Sequence, residues 1–226
     1  MKNLDKQILL NILLYVPALI CAVSFHEAAH AWTANRLGDP TAGMLGRVTL
    51  NPIRHIDPIG SVLVPLFLAV SGSGFMFGWA KPVPVQLHNL SNPKRDNAFI
   101  AAAGPVSNLL LALLSAFLLR TISFAPDFLF PVLEPLMNFC AALIFVNVIL
   151  AIFNIIPIPP LDGGSVLAGF LPDEAAEKYM SMRSYGMLII LLLFMIDPLN
   201  MRIWERFIAP IVSTLNRLFW AIGGLI

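Results

Sequence analysis

Ile8-Leu9-Leu10-Asn11-Ile12-Leu13-Leu14-Tyr15-Val16-Pro17-Ala18-Leu19-Ile20-Cys21-Ala22-Val23-Ser24-Phe25-His26-Glu27-Ala28-Ala29-His30-Ala31-Trp32 is almost wholly apolar, yet two histidines and a glutamate sit near its end. A helix of this length crosses a bilayer core of ~30 Å. Ionisable groups at that depth are expensive and by default mark function. The pattern His26-Glu27-Ala28-Ala29-His30 is H-E-x-x-H. Residues four apart share a helix face, so both imidazoles can reach one metal ion while Glu27 stands beside a bound water. The bland alternative is a chance match, with each histidine satisfied by its neighbours.

The composition agrees with a membrane setting. Of 226 residues, 58% are hydrophobic and 12% charged, where an average soluble domain carries roughly 25% charged residues. Mean hydropathy is +0.81. The reading is an all-α polytopic membrane protein, a helical bundle of about five to six transmembrane segments with short membrane-associated strands and a re-entrant loop. The whole chain, 1–226, is read as a single domain, with a catalytic core at about 8–170 and C-terminal helices at about 185–226. A net charge of +1 gives no sign of a nucleic-acid partner. Cys21 and Cys140 lie in apolar runs, where a thiol behaves as a small hydrophobe, and no disulfide is expected. The basic N-terminus resembles a signal peptide, but the run continues through His26 without a small-residue cleavage site and reads as retained.

Outward from the first helix, a polar, Gly-rich stretch spans Arg36 to Pro58. Within it Arg47-Val48-Thr49-Leu50 is expected as a short strand between turn formers. An apolar piece from Ile59 to Val70 is interrupted by Ser71-Gly72-Ser73-Gly74 and resumes over Phe75 to Trp79. Pro82-Val83-Pro84-Val85-Gln86 suits an extended edge strand, where proline is tolerated. Apolar runs at 98–119 and 136–156 can each span. A Pro-rich turn then leads to Leu161-Asp162-Gly163-Gly164, and apolar segments at about 185–196 and 207–226 close the chain.

A zinc site of this type needs a third protein ligand and leaves a fourth position open. Asp162 is the best candidate, in unwound backbone just past a spanning segment, and non-helical backbone is tolerated at membrane depth where it lines a cavity. Asp39, Asp57 and His55 are its rivals. His88, and His55 if it is not a ligand, read as structural loop histidines.

With these motifs in order, the chain resembles the site-2 protease family of intramembrane zinc metalloproteases, in its small form without a PDZ or CBS domain. The likeness rests on His26 to His30, on Gly46-Arg47-Val48-Thr49-Leu50-Asn51-Pro52 with His55-Ile56-Asp57-Pro58, and on Gly78-Trp79-Ala80-Lys81-Pro82-Val83-Pro84-Val85. Ala103-Gly104-Pro105-Val106-Ser107-Asn108 and Asn154-Ile155-Ile156-Pro157-Ile158-Pro159-Pro160-Leu161-Asp162-Gly163 complete it. It covers about residues 10–170. Gln86-Leu87-His88 departs from the Asn-Pro that relatives often carry there. The resemblance implies one Zn²⁺ per chain held by His26, His30 and Asp162, with Glu27 as general base in peptide-bond hydrolysis. It also implies Asn108 as a source of oxyanion stabilisation, set against a plain helix-packing asparagine.

A shared site at the ends of the first helix and of segment 136–156 requires those helices to run parallel. Segment 59–79 is then expected to dip in and return on one side. Arg36, Arg47, Arg54, Lys81, Lys94, Arg95, Lys178 and Arg183 fall on the active-site side, and Lys2, Lys6, Arg120, Arg202 and Arg206 on the other. That excess favours a cytoplasmic active site, in a cell membrane of bacterial type. The expected substrate is a membrane protein with a transmembrane segment. Once unwound, it would pair with the edges at Arg47, Val48, Thr49 and at Pro82, Val83, Pro84, Val85. Two other functions stay open, a membrane metal transporter and a proteolytically silent binder of membrane proteins.

Overall fold

The computed structural model describes residues 2–64, 67, 79–186, 188, 190 and 204–224. Helix α1 runs from Lys2 to Arg36, and a single turn, α2, covers Thr41–Met44. Helices α3 (Pro93–Ile122) and α4 (Phe130–Asn154) follow, then the short α5 (Asp162–Phe170) and α6 (Asp173–Ser181), and α7 (Ala209–Gly223). Among the described residues three stretches, Ile12–Arg36, Pro93–Ile122 and Asp127–Asn154, are long and apolar enough to cross a membrane. The protein is thus a helical membrane protein. Most of the expected segment at 185–196 and most of 59–79 lie outside the described residues, and α7 is a helix of 15 residues.

Small side chains bring the long helices together. Ala18 and Ala22 of α1 are fully buried against Ala142, Leu143 and Val146 of α4. Ala112, Ala116 and Leu119 of α3 pack with Cys140, Ile144 and Val148 of α4 and with Val212 and Phe219 of α7. Lipid offers no hydrophobic drive between helices, so close backbone approach at small residues supplies the packing. The outer faces are the apolar ones. Val106, Leu110, Leu114 and Phe117 recur along one exposed side of α3, while Asn108 and Ser115 on the same helix are buried. Cys21 and Cys140 are both free.

The order of contacts gives the helix directions. His26 meets Asn108 and His30 meets Ile100, so α3 runs antiparallel to α1. A short link from Ser123 to Leu129 folds α4 back against α3, which leaves α4 parallel to α1, as the shared site requires.

Two sequence expectations change. Neither 47–50 nor 82–86 forms a strand; both are irregular backbone. Pro82 and Pro84 lack the N–H that a ladder needs. The carbonyls of Arg54, Lys81 and Pro82 instead accept from the buried Arg47 guanidinium, the last at 3.3 Å. A side chain stands where a second strand would be. The other change concerns Asp162, which opens α5 as its first residue and does not lie in unwound backbone.

The ends of segment 59–79 meet each other. Trp79 N–H donates to Gly60 O at 3.1 Å, and the Ser61 hydroxyl donates to Trp79 O at 2.8 Å. Asp39 ties the loop after α1 to the approach to α3. Its buried carboxylate accepts from Thr41, from Gln86 N–H and from the Asn89 amide. Burial alone would raise the Asp39 pKa, but these hydrogen bonds outweigh it and hold it at about 2.

Candidate metal centre

His26 and His30 lie one helical turn apart on the inward face of α1, both buried, with the rings edge to face. Each ring is fixed from behind. His26 Nδ1 lies 2.6 Å from Asn108 Oδ1, and His30 Nδ1 lies 2.7 Å from Ile100 O. A backbone carbonyl only accepts, so His30 carries its proton on Nδ1. The amide oxygen of Asn108 imposes the same tautomer on His26. In the neutral ring of that tautomer, each Nε2 presents a lone pair to the space between the helices.

Asp162 closes that space. Its Oδ2 is 3.1 Å from His26 Nε2 and 3.4 Å from His30 Nε2, and the two Nε2 atoms are 3.0 Å apart. Oδ2 is buried without a hydrogen-bond partner. These three atoms converge with no other protein group between them, so the site is satisfied only by a cation that they share, a proton or a metal ion. With ligand bonds of ~2.0–2.1 Å, the edges of a tetrahedral zinc site are about 3.3 Å, and the three observed separations bracket that length. The residues present fit zinc.

Two glycines make the approach possible. A Cβ on Gly104 would lie 2.4 Å from His30 Nε2 and 2.5 Å from His26 Cε1, so only glycine lets α3 come this close to the ligand face. A Cβ on Gly163 would lie 2.1 Å from Ile155 O, so the turn carrying Asp162 can fold back onto the end of α4 only without a side chain there.

Glu27 is buried at 9% exposure beside the two rings, and among the described residues no hydrogen bond holds its carboxylate. Its charge is felt by Arg47. Burial pulls that guanidinium below its ordinary pKa, and the Glu27 carboxylate draws it back up.

The rival ligands are elsewhere. Asp39 is the loop tie described above. Asp57 caps the π-type turn Pro58–Leu63, accepting from Ile59 N–H and Gly60 N–H. His55 is bonded through Nε2 to Thr49 O, and His88 lies in the 3-10 turn Leu87–Asn89. Among the described residues, His26, His30 and Asp162 are the only group of such side chains close enough to share an ion. Sequence reasoning missed Asn147, whose side chain bonds to Asn108. A lone amide inside an apolar run was the available signal.

The model of peptidase family M50 matches residues 131–196. The Bacillus subtilis protein named "Putative zinc metalloprotease YwhC" is 38% identical over 186 residues, covering 82% of this chain and 81% of the relative. "Putative zinc metalloprotease Rip2" of Mycolicibacterium smegmatis is 31% identical over 194 residues, covering 85% and 71%. The Rip2 of Mycobacterium tuberculosis strain H37Rv is 30% identical over 182 residues, covering 80% and 66%. No solved structure matches the chain significantly.

Proposed function

The chain belongs to peptidase family M50, the zinc metalloproteases of the site-2 type, and from that premise we propose its ligands, its base and its substrate. It is a metalloendopeptidase of a membrane. His26, His30 and Asp162 hold one Zn²⁺, and Glu27 is the general base. The observation that carries this is the meeting of two buried imidazole nitrogens and one buried carboxylate oxygen at 3.0–3.4 Å.

Zinc, when bound, supplies Lewis acidity to water and to the scissile carbonyl. The chain's own residues supply the rest. Glu27 accepts the proton released as water attacks, holds it on its carboxylate, and returns it to the leaving amine. Arg47 anchors the loop beside Glu27 through three backbone carbonyls, so the base and the approach for substrate share one support. The helices exclude bulk water, which strengthens each of these interactions.

The substrate is a membrane-protein segment unwound near the site, since a helix buries its scissile carbonyls in its own hydrogen bonds. The irregular segment 82–86 retains backbone groups that can pair with such a strand. The bonded ends of segment 59–79 support a loop that enters and returns on one side. The basic residues favour an active site facing the cytoplasm.

Purified full-length protein should contain one zinc per chain. A chelator should remove the metal together with cleavage of a transmembrane substrate, and added zinc should restore both. Metal-free protein that still cleaves refutes the reading. Replacing Val83 or Val85 with proline removes one more backbone donor from segment 82–86. Turnover should fall several-fold at full zinc content, and unchanged turnover would remove this segment from substrate binding.

A further inference from the structure

Behind the two histidines runs a line of buried amides. Asn108 on α3 and Asn147 on α4 are both fully buried. Asn147 Nδ2 donates to Leu143 O at 2.8 Å. Asn108 Nδ2 donates to Asn147 Oδ1 at 2.7 Å and to Ala22 O at 3.1 Å, and Asn108 Oδ1 faces His26 Nδ1 at 2.6 Å.

The polarity of this line is set at its far end. Leu143 O can only accept, so Asn147 must turn its NH₂ toward it. The oxygen of Asn147 then faces Asn108 and requires a donor. Asn108 supplies its NH₂ at 2.7 Å, and the second hydrogen reaches the Ala22 carbonyl at the longer distance of 3.1 Å. That leaves the Asn108 oxygen against His26, which must donate through Nδ1. Reversing the Asn108 amide would set its NH₂ against His26 Nδ1 and drive the ring proton to Nε2, the atom that faces Asp162. His30 needs no such line, because Ile100 O fixes its tautomer directly.

We propose that Asn147, whose hydrogen bonds go to Asn108 and Leu143 and not to the metal centre, is a positioning residue: through Asn108 it locks His26 in the Nδ1–H tautomer and keeps its Nε2 open to zinc. This rests on His26 being a ligand. It also gives Asn108 a role other than the oxyanion donor, since both amide hydrogens are already spent on Asn147 and Ala22.

The test uses full-length protein in detergent with ¹⁵N-labelled histidine. Nitrogen NMR of the metal-free form reads the tautomer, with His26 assigned by its loss in His26→Gln, and competition with a chelator reads zinc affinity. Wild type should show the Nδ1–H tautomer at His26 and bind one zinc. Asn147→Leu removes both polar contacts. It should give a mixture of tautomers and bind zinc about 10-fold more weakly, at the low end for supporting residues of a metal site. Asn147→Ala gives the same readouts should the leucine variant fail to accumulate. Asn147→Asp keeps an acceptor toward Asn108, and its second oxygen, protonated when buried, donates to Leu143 O, so tautomer and affinity should match wild type. A single Nδ1–H tautomer with unchanged affinity in the leucine or alanine variant overturns the proposal, as does an aspartate variant equally impaired. Wild-type protein that binds no zinc would instead sink the ligand assignment.

Discussion

Glu27→Gln should retain one zinc per chain and lose cleavage by about 10²–10⁴-fold, the range that a positioned general base contributes. Glutamine has nearly the shape of glutamate and still accepts a hydrogen bond, but it cannot hold the proton released by the attacking water. None of the three proposed zinc ligands is touched, so metal content should not move. The fold should not move either. Among the described residues the Glu27 carboxylate holds no hydrogen bond whose loss would loosen α1, and Arg47 keeps its three carbonyl partners when the nearby charge is gone. The loss should therefore appear in kcat, with KM little changed, as for an interaction made only in the transition state. Turnover within tenfold of wild type at full zinc content would remove Glu27 as the base. The same variant separates a cutting enzyme from a relative that only binds membrane proteins, since binding has no use for a proton acceptor here.

The meeting of His26 and His30 was legible because its spacing is local. Two histidines four apart in an apolar run need only a helix to share a face, and the run guarantees the helix. Asp162 was legible through its motif and not through geometry, for nothing in the spacing says that the end of α4 returns to the end of α1. What makes that return possible is absence of volume at Gly104 and Gly163, and the cost of a Cβ there shows only once distances are known. Asn147 was hidden by the same non-locality: a single amide in an apolar stretch looks like helix packing until Asn108 is found across from it. The strand readings failed for a physical reason. Alternating Val and Pro at 82–85 fits a pleat, but a strand exists only with a partner, and here a guanidinium takes the carbonyls. Hydropathy does not give helix ends. Hydropathy marks 98–119, whereas α3 begins at Pro93, where Asn92 N–H donates to the Asp96 carboxylate and closes the first turn. Local hydrogen bonding sets a helix start, and membrane burial sets the apolar stretch inside it.

Asp162→Ala should abolish stoichiometric zinc and, with it, all measurable hydrolysis. The residue left in place would be a pair of neutral imidazoles on one helix, with no anion to offset the charge of a dication in a low-dielectric setting. A site needs three protein ligands and an open position to hold zinc for catalysis, and among the described residues no other acidic or thiol side chain lies close enough to take over. The scaffold should survive. Asp162 is the first residue of α5, so its removal costs a favourable charge at a helix N-terminus, about 0.3–1 kcal/mol. The thermal midpoint of the metal-free variant should accordingly lie within a few degrees of metal-free wild type, while added zinc should raise the midpoint of wild type alone, since a ligand stabilises only the state that binds it. Asp162→Asn keeps the shape and an oxygen but loses the charge, and should fall between the two in zinc affinity. Hydrolysis that persists in the alanine variant, or zinc that stays bound to it, would mean that the carboxylate meeting two imidazoles at the end of α1 is a structural contact, and that the third ligand lies elsewhere in the chain.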